Sequence, residues 1–336
     1  MNIQNSKIII LGSIAYDYLF SFSEKFINAV SINYEKEEYQ STITTDNKII
    51  RYGGTAGNIA YNIGLLNIGQ ALLIGAVGKD FEDLGYRKHI SRFNNITLDI
   101  DIHEDDSTAT CYIVNDINNN QMIIFHGGAL NKSKNIDLTL RIKDSEKYLY
   151  AINSAQSVKA MINHADQLNY LNIPFIFDPG QVTPMFSKES LINIVKKSDI
   201  IIGNKYEMEQ IVKKTEMSEM ELLEFNKAII ITLGKEGATL FYKTKDKNNY
   251  IESISACDIK DIKDTTGAGD AFRAGFLTGL SLEMTLSDSC RLGSVIASFT
   301  IETEGAQTHL FTLSQVNERF IKNYEHLPSE LEDLVK

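Results

Sequence analysis

The sequence predicts an α/β fold: a central, mostly parallel β-sheet with helices on both faces. Two observations carry this expectation. Short apolar runs recur along the 336 residues, as strands buried on both faces require, and segments of helical spacing separate them. Near the C-terminus, Asp264-Thr265-Thr266-Gly267-Ala268-Gly269-Asp270 reads as a turn feeding a helix, with Ala271, Phe272, Gly275, Phe276, Gly279 and Leu280 at helical spacing.

In chain order, residues 7–11 form a buried strand that ends at Gly12. Asp17 follows just past its C-terminal end, where open α/β sheets bind ligands. Residues 18–51 and 99–126 are polar with alternating patches. In the second region, 108–114 and 121–126 read as strands joined by a hairpin-type turn, Asn118-Asn119-Asn120. Gly53-Gly54 leads into a helix over about 56–66. Residues 72–80 form a strand and turn, in which Lys79 and Asp80 could line the wall of a site but read more readily as surface. Further strands are expected at 148–153, 175–178, 199–203 and 228–232, with a helix over 157–171 and another over 290–300.

The chemistry concentrates at residues 264–273. Thr265 and Thr266 are N-cap types, and Gly267 and Gly269 admit left-handed backbone and close approach of a ligand. The free N–H groups and positive dipole end of the helix make an anion site. Asp270 in the first turn would repel a bound phosphate. Its presence makes sense if it takes a proton from a hydroxyl while the amides hold a phosphoryl group. An acidic first-turn residue that only stabilises its helix is the plain alternative.

The rest of the chain decides between them. Asp264 to Asp270 resembles the C-terminal signature of the PfkB, or ribokinase-like, family of sugar and nucleoside kinases, and Gly53-Gly54-Thr55-Ala56-Gly57-Asn58-Ile59-Ala60 resembles its N-terminal signature. The resemblance runs from about Ile8 to Thr312. It implies a ribokinase-like fold with a small β-sheet lid, here about 17–51 and 99–126, within one kinase domain spanning 1–336. It implies that Asp270 is the general base and that the amides of Gly267, Ala268 and Gly269 stabilise the transferred group. Asp17 would grip vicinal sugar hydroxyls, with Gly53, Gly54, Asn58, His126 and Gln181 as further substrate contacts. Asn204, Thr232, Gly234, Gly237, Thr266 and Arg273 would seat ATP, although Arg273 could instead pair with a carboxylate. Glu207 would position Mg²⁺ through water, and Asp264 and Thr266 would border a K⁺ site with the loop 301–307. The run Asp178-Pro179-Gly180-Gln181, with Phe125-His126 and the first signature, resembles the prokaryotic adenosine (nucleoside) kinase branch. The lid offers a homodimer surface.

Composition limits the alternatives. The net charge is −11, with no basic face for nucleic acid or membrane lipids. Three distant cysteines, Cys111, Cys257 and Cys290, suit a reducing cytoplasm rather than a disulfide framework. Residues 1–11 carry one lysine and an apolar run too short for a signal peptide, and no stretch approaches the length of a membrane span. A Walker A sequence, a dinucleotide fingerprint and protein-kinase landmarks are all missing. A simple-sugar kinase of the same family and a catalytically silent ligand-binding regulator are the remaining readings. The tail from Glu325 reads as peripheral.

Overall fold

Fifteen strands occur among the residues that the computed structural model describes, which are 7–334 except 34–37, 119, 245, 247 and 260. They are β1 Lys7–Leu11, β2 Ala15–Ser21, β3 Val30–Asn33, β4 Glu38–Ser41, β5 Asn47–Gly53, β6 Gln70–Gly78, β7 Ile96–His103, β8 Ala109–Asn115, β9 Gln121–His126, β10 Tyr148–Ser154, β11 Phe175–Asp178, β12 Ile200–Asn204, β13 Ala228–Thr232, β14 Ala238–Lys243 and β15 Asn249–Ile254. Nine of them make one sheet in the order β15-β14-β13-β12-β11-β10-β1-β6-β7, parallel from β13 to β7 and antiparallel at the β14 and β15 edge.

The apolar runs are continuous because both faces of this sheet are covered. Ile8, Ile10, Ile152, Ile176 and Ile200 enter one core with Phe272, Phe276 and Leu277. Their neighbours Ile9, Leu11, Ala151, Phe175, Phe177 and Ile201 enter the other with Leu168, Ile194 and Ile211. From β1 the chain builds outward through β6 and β7, then returns to place β10 on the other flank of β1. The sheet therefore reverses direction beside β1, and the crevice at the C-terminal ends there is the natural ligand site.

A second sheet, β5-β2-β8-β9, is the small lid, and β3 and β4 form a separate two-stranded ribbon. Residues 99–103, expected in the lid, instead belong to β7 at the edge of the large sheet. Their alternation has a local cause: Asp99 and Asp101 reach out to Arg141, at 2.8 and 2.6 Å, while β7 keeps its other face inward. Of the expected hairpin turn, Asn119 lies outside the described residues. Asp80, read as a surface residue, anchors the lid instead. Its Oδ1 accepts from the amide and hydroxyl of Thr108, at 2.7 and 2.5 Å, immediately before β8.

The helix of the C-terminal signature spans Ala268–Ser281. Gly275 and Gly279 face the next helix, Leu286–Ile301. A side chain at Gly275 would lie 2.7 Å from the Leu292 carbonyl oxygen, and one at Gly279 would lie 2.6 Å from Ser289 Oγ. Among the described residues no helix is long and apolar enough to cross a membrane.

Candidate active site

The site assembles where β1, β10, β11 and β12 end. Past β1, Ser13 joins three elements. Its amide donates to the Ala155 carbonyl (3.1 Å), its carbonyl accepts from Ala56 N (2.9 Å), and its hydroxyl accepts from Thr55 N (2.9 Å). The start of the helix Thr55–Leu66 is thus pinned against the end of β1. Gly54 has φ 85°, and a side chain there would meet the Ser13 carbonyl at 2.6 Å, so only glycine fits. A side chain at Gly53 would strike the Asp17 carboxylate. Asp17 sits on β2, in register with Arg51 on β5 and Cys111 on β8. Burial, then the nearby Asp264 charge, pushes the Asp17 carboxyl up to about 6.

Asp270 stands in the first turn of the helix Ala268–Ser281. Asn58 Nδ2 donates to its Oδ2 at 2.7 Å. Burial raises the Asp270 carboxyl to about 7, against the lowering pull of Arg273 and of the Asn58 hydrogen bond. A carboxyl held near neutrality at a helix start can accept a proton at working pH. The threonines do not cap this helix. The N-cap residue is Gly267 in left-handed backbone, without a side-chain cap, and Asp264 Oδ1 accepts from Thr266 N instead (2.9 Å). Ala268 N donates to the Thr265 carbonyl at 3.2 Å, so it is already engaged. Among the described residues no acceptor meets the amides of Gly267, Gly269 and Asp270, which are left unengaged at the helix start.

Beneath the helix start lies a buried ionic cluster. Arg273, expected at ATP, is buried with its Nη2 on Asp178 Oδ1 at 2.5 Å and its Nη1 on the Gly269 carbonyl at 2.9 Å. Its carboxylate pairing, the alternative in the sequence reading, is what the fold contains. The guanidinium is rigidly held, and through Gly269 it supports the turn that carries the free amides. Glu207 Oε2 lies 3.8 Å from Arg273 and accepts from Asn204 N at 2.8 Å. Asn204 Oδ1 accepts in return from Glu207 N, a reciprocal capping box at the start of the helix Lys205–Thr215. Burial raises the Glu207 carboxyl above its usual range, with Arg273 opposing and Asp178 adding. Two carboxylates besides Asp270 thus surround one guanidinium, leaving net negative charge where a cation could sit.

Other expected residues are farther from this centre or differently used. Asp264 Oδ2 accepts from Gly305 N (2.9 Å), tying the loop after Leu286–Ile301 to the signature turn. Thr232 ends β13 with its hydroxyl 3.4 Å from the Gly203 carbonyl, and Gly234 follows at φ 59° with open space around it. Gly237 has φ 90° and closes the turn into β14. Gln181 is exposed at the start of the turn Gly180–Met185. His126 shares its register row with Thr110 and Tyr16, on the lid face opposite Asp17, so the fold does not bring it to Asp17. Two residues outside the expected site are central. Asp178 is the arginine partner and also accepts from Ser154 Oγ at 2.6 Å. Gln307 Nε2 donates to Asn58 Oδ1 at 2.8 Å. An acidic residue ending a parallel strand was a usable signal for Asp178; Gln307 lay in a loop with no periodicity to mark it.

Residues 17–312 match the model of the pfkB family carbohydrate kinases. This chain belongs to that family. Among its pfkB relatives, the nucleoside kinase of Methanocaldococcus jannaschii is 31% identical over 94% of this chain and 97% of its own length. That of Methanothermobacter thermautotrophicus is 27% identical over 97% and 99%. The structure of Burkholderia thailandensis nucleoside kinase in complex with inosine superposes with a TM-score of 0.81 at 30% identity, covering 96% of this chain and all of that one. The pfkB match includes Asp17, both signatures and the loop to Gln307.

Proposed function

We propose that the chain is an ATP-dependent kinase that phosphorylates the 5′-hydroxyl of a nucleoside, adenosine foremost. The observation that carries this is Asp270: a carboxyl tuned to near neutrality, oriented by Asn58, beside unengaged amides at a helix start. Asp17 would hold the ribose hydroxyls, since one carboxylate can accept two O–H bonds. Asp270 would take the proton from the 5′-hydroxyl, whose oxygen attacks the γ-phosphorus of ATP in line as the bond to ADP breaks. The amides of Gly267 and Gly269 would stabilise charge on the transferred group. The nucleoside kinase relatives support the nucleoside acceptor, and Asp178-Pro179-Gly180-Gln181 supports adenosine.

Glu207 fits Mg²⁺ held through water. Among the described residues no cluster of three metal-ligating side chains forms a direct cage, and Mg²⁺ prefers to keep its waters. When bound it would neutralise phosphate oxygens. Asp264 and Thr266, tied to the loop at Gly305, are our candidates to border a K⁺ ion. Three free thiols support a cytoplasmic location.

The test is ADP release from Mg-ATP with adenosine, inosine, cytidine, ribose and fructose offered separately, with and without K⁺. We expect turnover on nucleosides, highest on adenosine. Turnover on free sugars alone would move the assignment to a sugar kinase; binding without turnover on any acceptor would favour a regulator. Asp270→Asn should bind nucleoside nearly as before and lose at least about a thousandfold in kcat. Turnover within about tenfold of the native enzyme would remove Asp270 from the chemistry.

A further inference from the structure

Asp270 stands at the end of a chain of side-chain hydrogen bonds whose direction is chemically determined. Tyr86 is buried and has one hydroxyl proton, which it donates to the Gly53 carbonyl at 2.7 Å. Towards Gln307, at 2.8 Å, its oxygen must therefore accept, so the Gln307 atom facing it is the amide nitrogen. The second proton of that nitrogen goes to Asn58 Oδ1 at 2.8 Å. The Asn58 amide is then forced to turn its nitrogen to Asp270 Oδ2 at 2.7 Å. At the far end, Gln307 Oε1 meets His89 Nε2 at 3.1 Å, which must carry the proton there. His89 is stacked between Tyr52 and Tyr61, with ring centroids 4.2 and 5.4 Å away.

We propose that Gln307, held by Tyr86 and His89, is a positioning residue for phosphoryl transfer: it fixes the amide of Asn58 so that an N–H group, not a carbonyl, faces Asp270. This rests on the reading of Asp270 as the general base. Rotated by half a turn, Asn58 would set its oxygen against a carboxylate oxygen, with no proton between two acceptors. The carboxylate would lose its orienting donor, and its ionised form would be disfavoured. The other groups facing Asp270 are Arg273 on its own helix, Asp178 at the end of β11 and Glu207 on Lys205–Thr215. None of them shares a hydrogen bond or ion pair with Gln307 among the described residues, so the hydrogen-bonded route from Gln307 to Asp270 runs through Asn58. His89 remains neutral near pH 7, because burial and Arg92 lower it to about 4. Its single N–H is then available to hold Gln307.

The experiment compares single-turnover rates against pH, at saturating adenosine and Mg-ATP, for the native enzyme, Gln307→Glu and Gln307→Leu. The glutamate carboxylate can only accept, so it turns Asn58 around. The rate should fall at least about tenfold and the acid limb of the profile should move up by about half a pH unit or more. Gln307→Leu, which leaves Asn58 free, should shift the limb less in the same direction. In an Asn58→Ala background Gln307→Leu, which adds no charge of its own, should shift nothing further. A glutamine that merely packs would lower the melting temperature and leave the limb in place. An unmoved limb in both variants, or equal shifts without Asn58, overturns the proposal. Should either variant fail to fold, His89→Phe keeps the ring stack and removes only the donor to Gln307; an unmoved limb there overturns it as well. Asp270→Asn, measured alongside, separates the two ideas. If it stays active, the base assignment fails; if it is inactive while the Gln307 limb stands still, only the positioning role fails.

Discussion

Asp270 and Asp17 share an environment that makes both hold protons longer than ordinary carboxyls. Asp270 is raised to about 7 and Asp17 to about 6, in each case chiefly by burial. In the proposed reaction both act as acceptors and so must be ionised. The expected kcat/KM for the nucleoside falls with one proton below about pH 7 and more steeply below about pH 6, which a pH series with Mg-ATP held saturating measures. The stability sign is opposite to that of a salt-bridged aspartate. Asp270 binds its proton more tightly folded than unfolded, so folding stability from this group is present below its unfolded value and falls as pH rises towards about 7. Asp270, Asn58, Asp17 and the two glycines were legible in the sequence because their motifs state a backbone need or a chemical one. Asp178 was marked only as an acidic residue ending a strand, and Gln307 only by its place in the loop 301–307. Their roles come from partners 95 and 249 positions away, Arg273 and Asn58, which no local spacing encodes.

At the scale of elements, the helix Ala268–Ser281 holds Asp270 in place through its contact with Leu286–Ile301. Gly275 and Gly293 let the two backbones approach, a side chain at Gly293 lying 2.8 Å from the Phe272 carbonyl oxygen. Alanine has a helix propensity about 1 kcal/mol better than glycine. The clash should win, because the groups in the way are backbone. Gly275→Ala is expected to lose about 2 kcal/mol of stability, read as a lower midpoint in urea. An unchanged or higher midpoint would mean the helices separate freely. The parallel strands were readable because double burial makes them uniformly apolar. β7 was misassigned for the converse reason: as an edge strand with one face open, it alternates like a lid strand.

For the whole molecule, the lid has two different faces. Register aligns Asp17 with Cys111 and Phe125 on one of them. The other carries an unbroken apolar row across all four strands, Ile50, Tyr18, Tyr112 and Ile124, with Ile50 41%, Tyr112 39% and Ile124 59% exposed. We propose this outer row as the surface that meets a second copy of the chain. Ile50→Lys with Ile124→Lys should convert a dimer to a monomer by sedimentation while leaving the catalytic face intact. A native enzyme that sediments as a monomer at micromolar concentration would discard the surface.

The register of the inner row also puts a thiol beside Asp17. Cys257 and Cys290 are buried, so Cys111 is the reachable cysteine. Burial and the charge of Asp17 raise its thiol to about 11, and only the thiolate is a nucleophile. If sugar hydroxyls engage Asp17 as proposed, that repulsion weakens, and a lid that closed over them would hide the sulfur. The alkylation rate of Cys111 by a small uncharged reagent thus carries both signals. With no tryptophan in the chain to report on the crevice, this cysteine is a native label for watching the lid move.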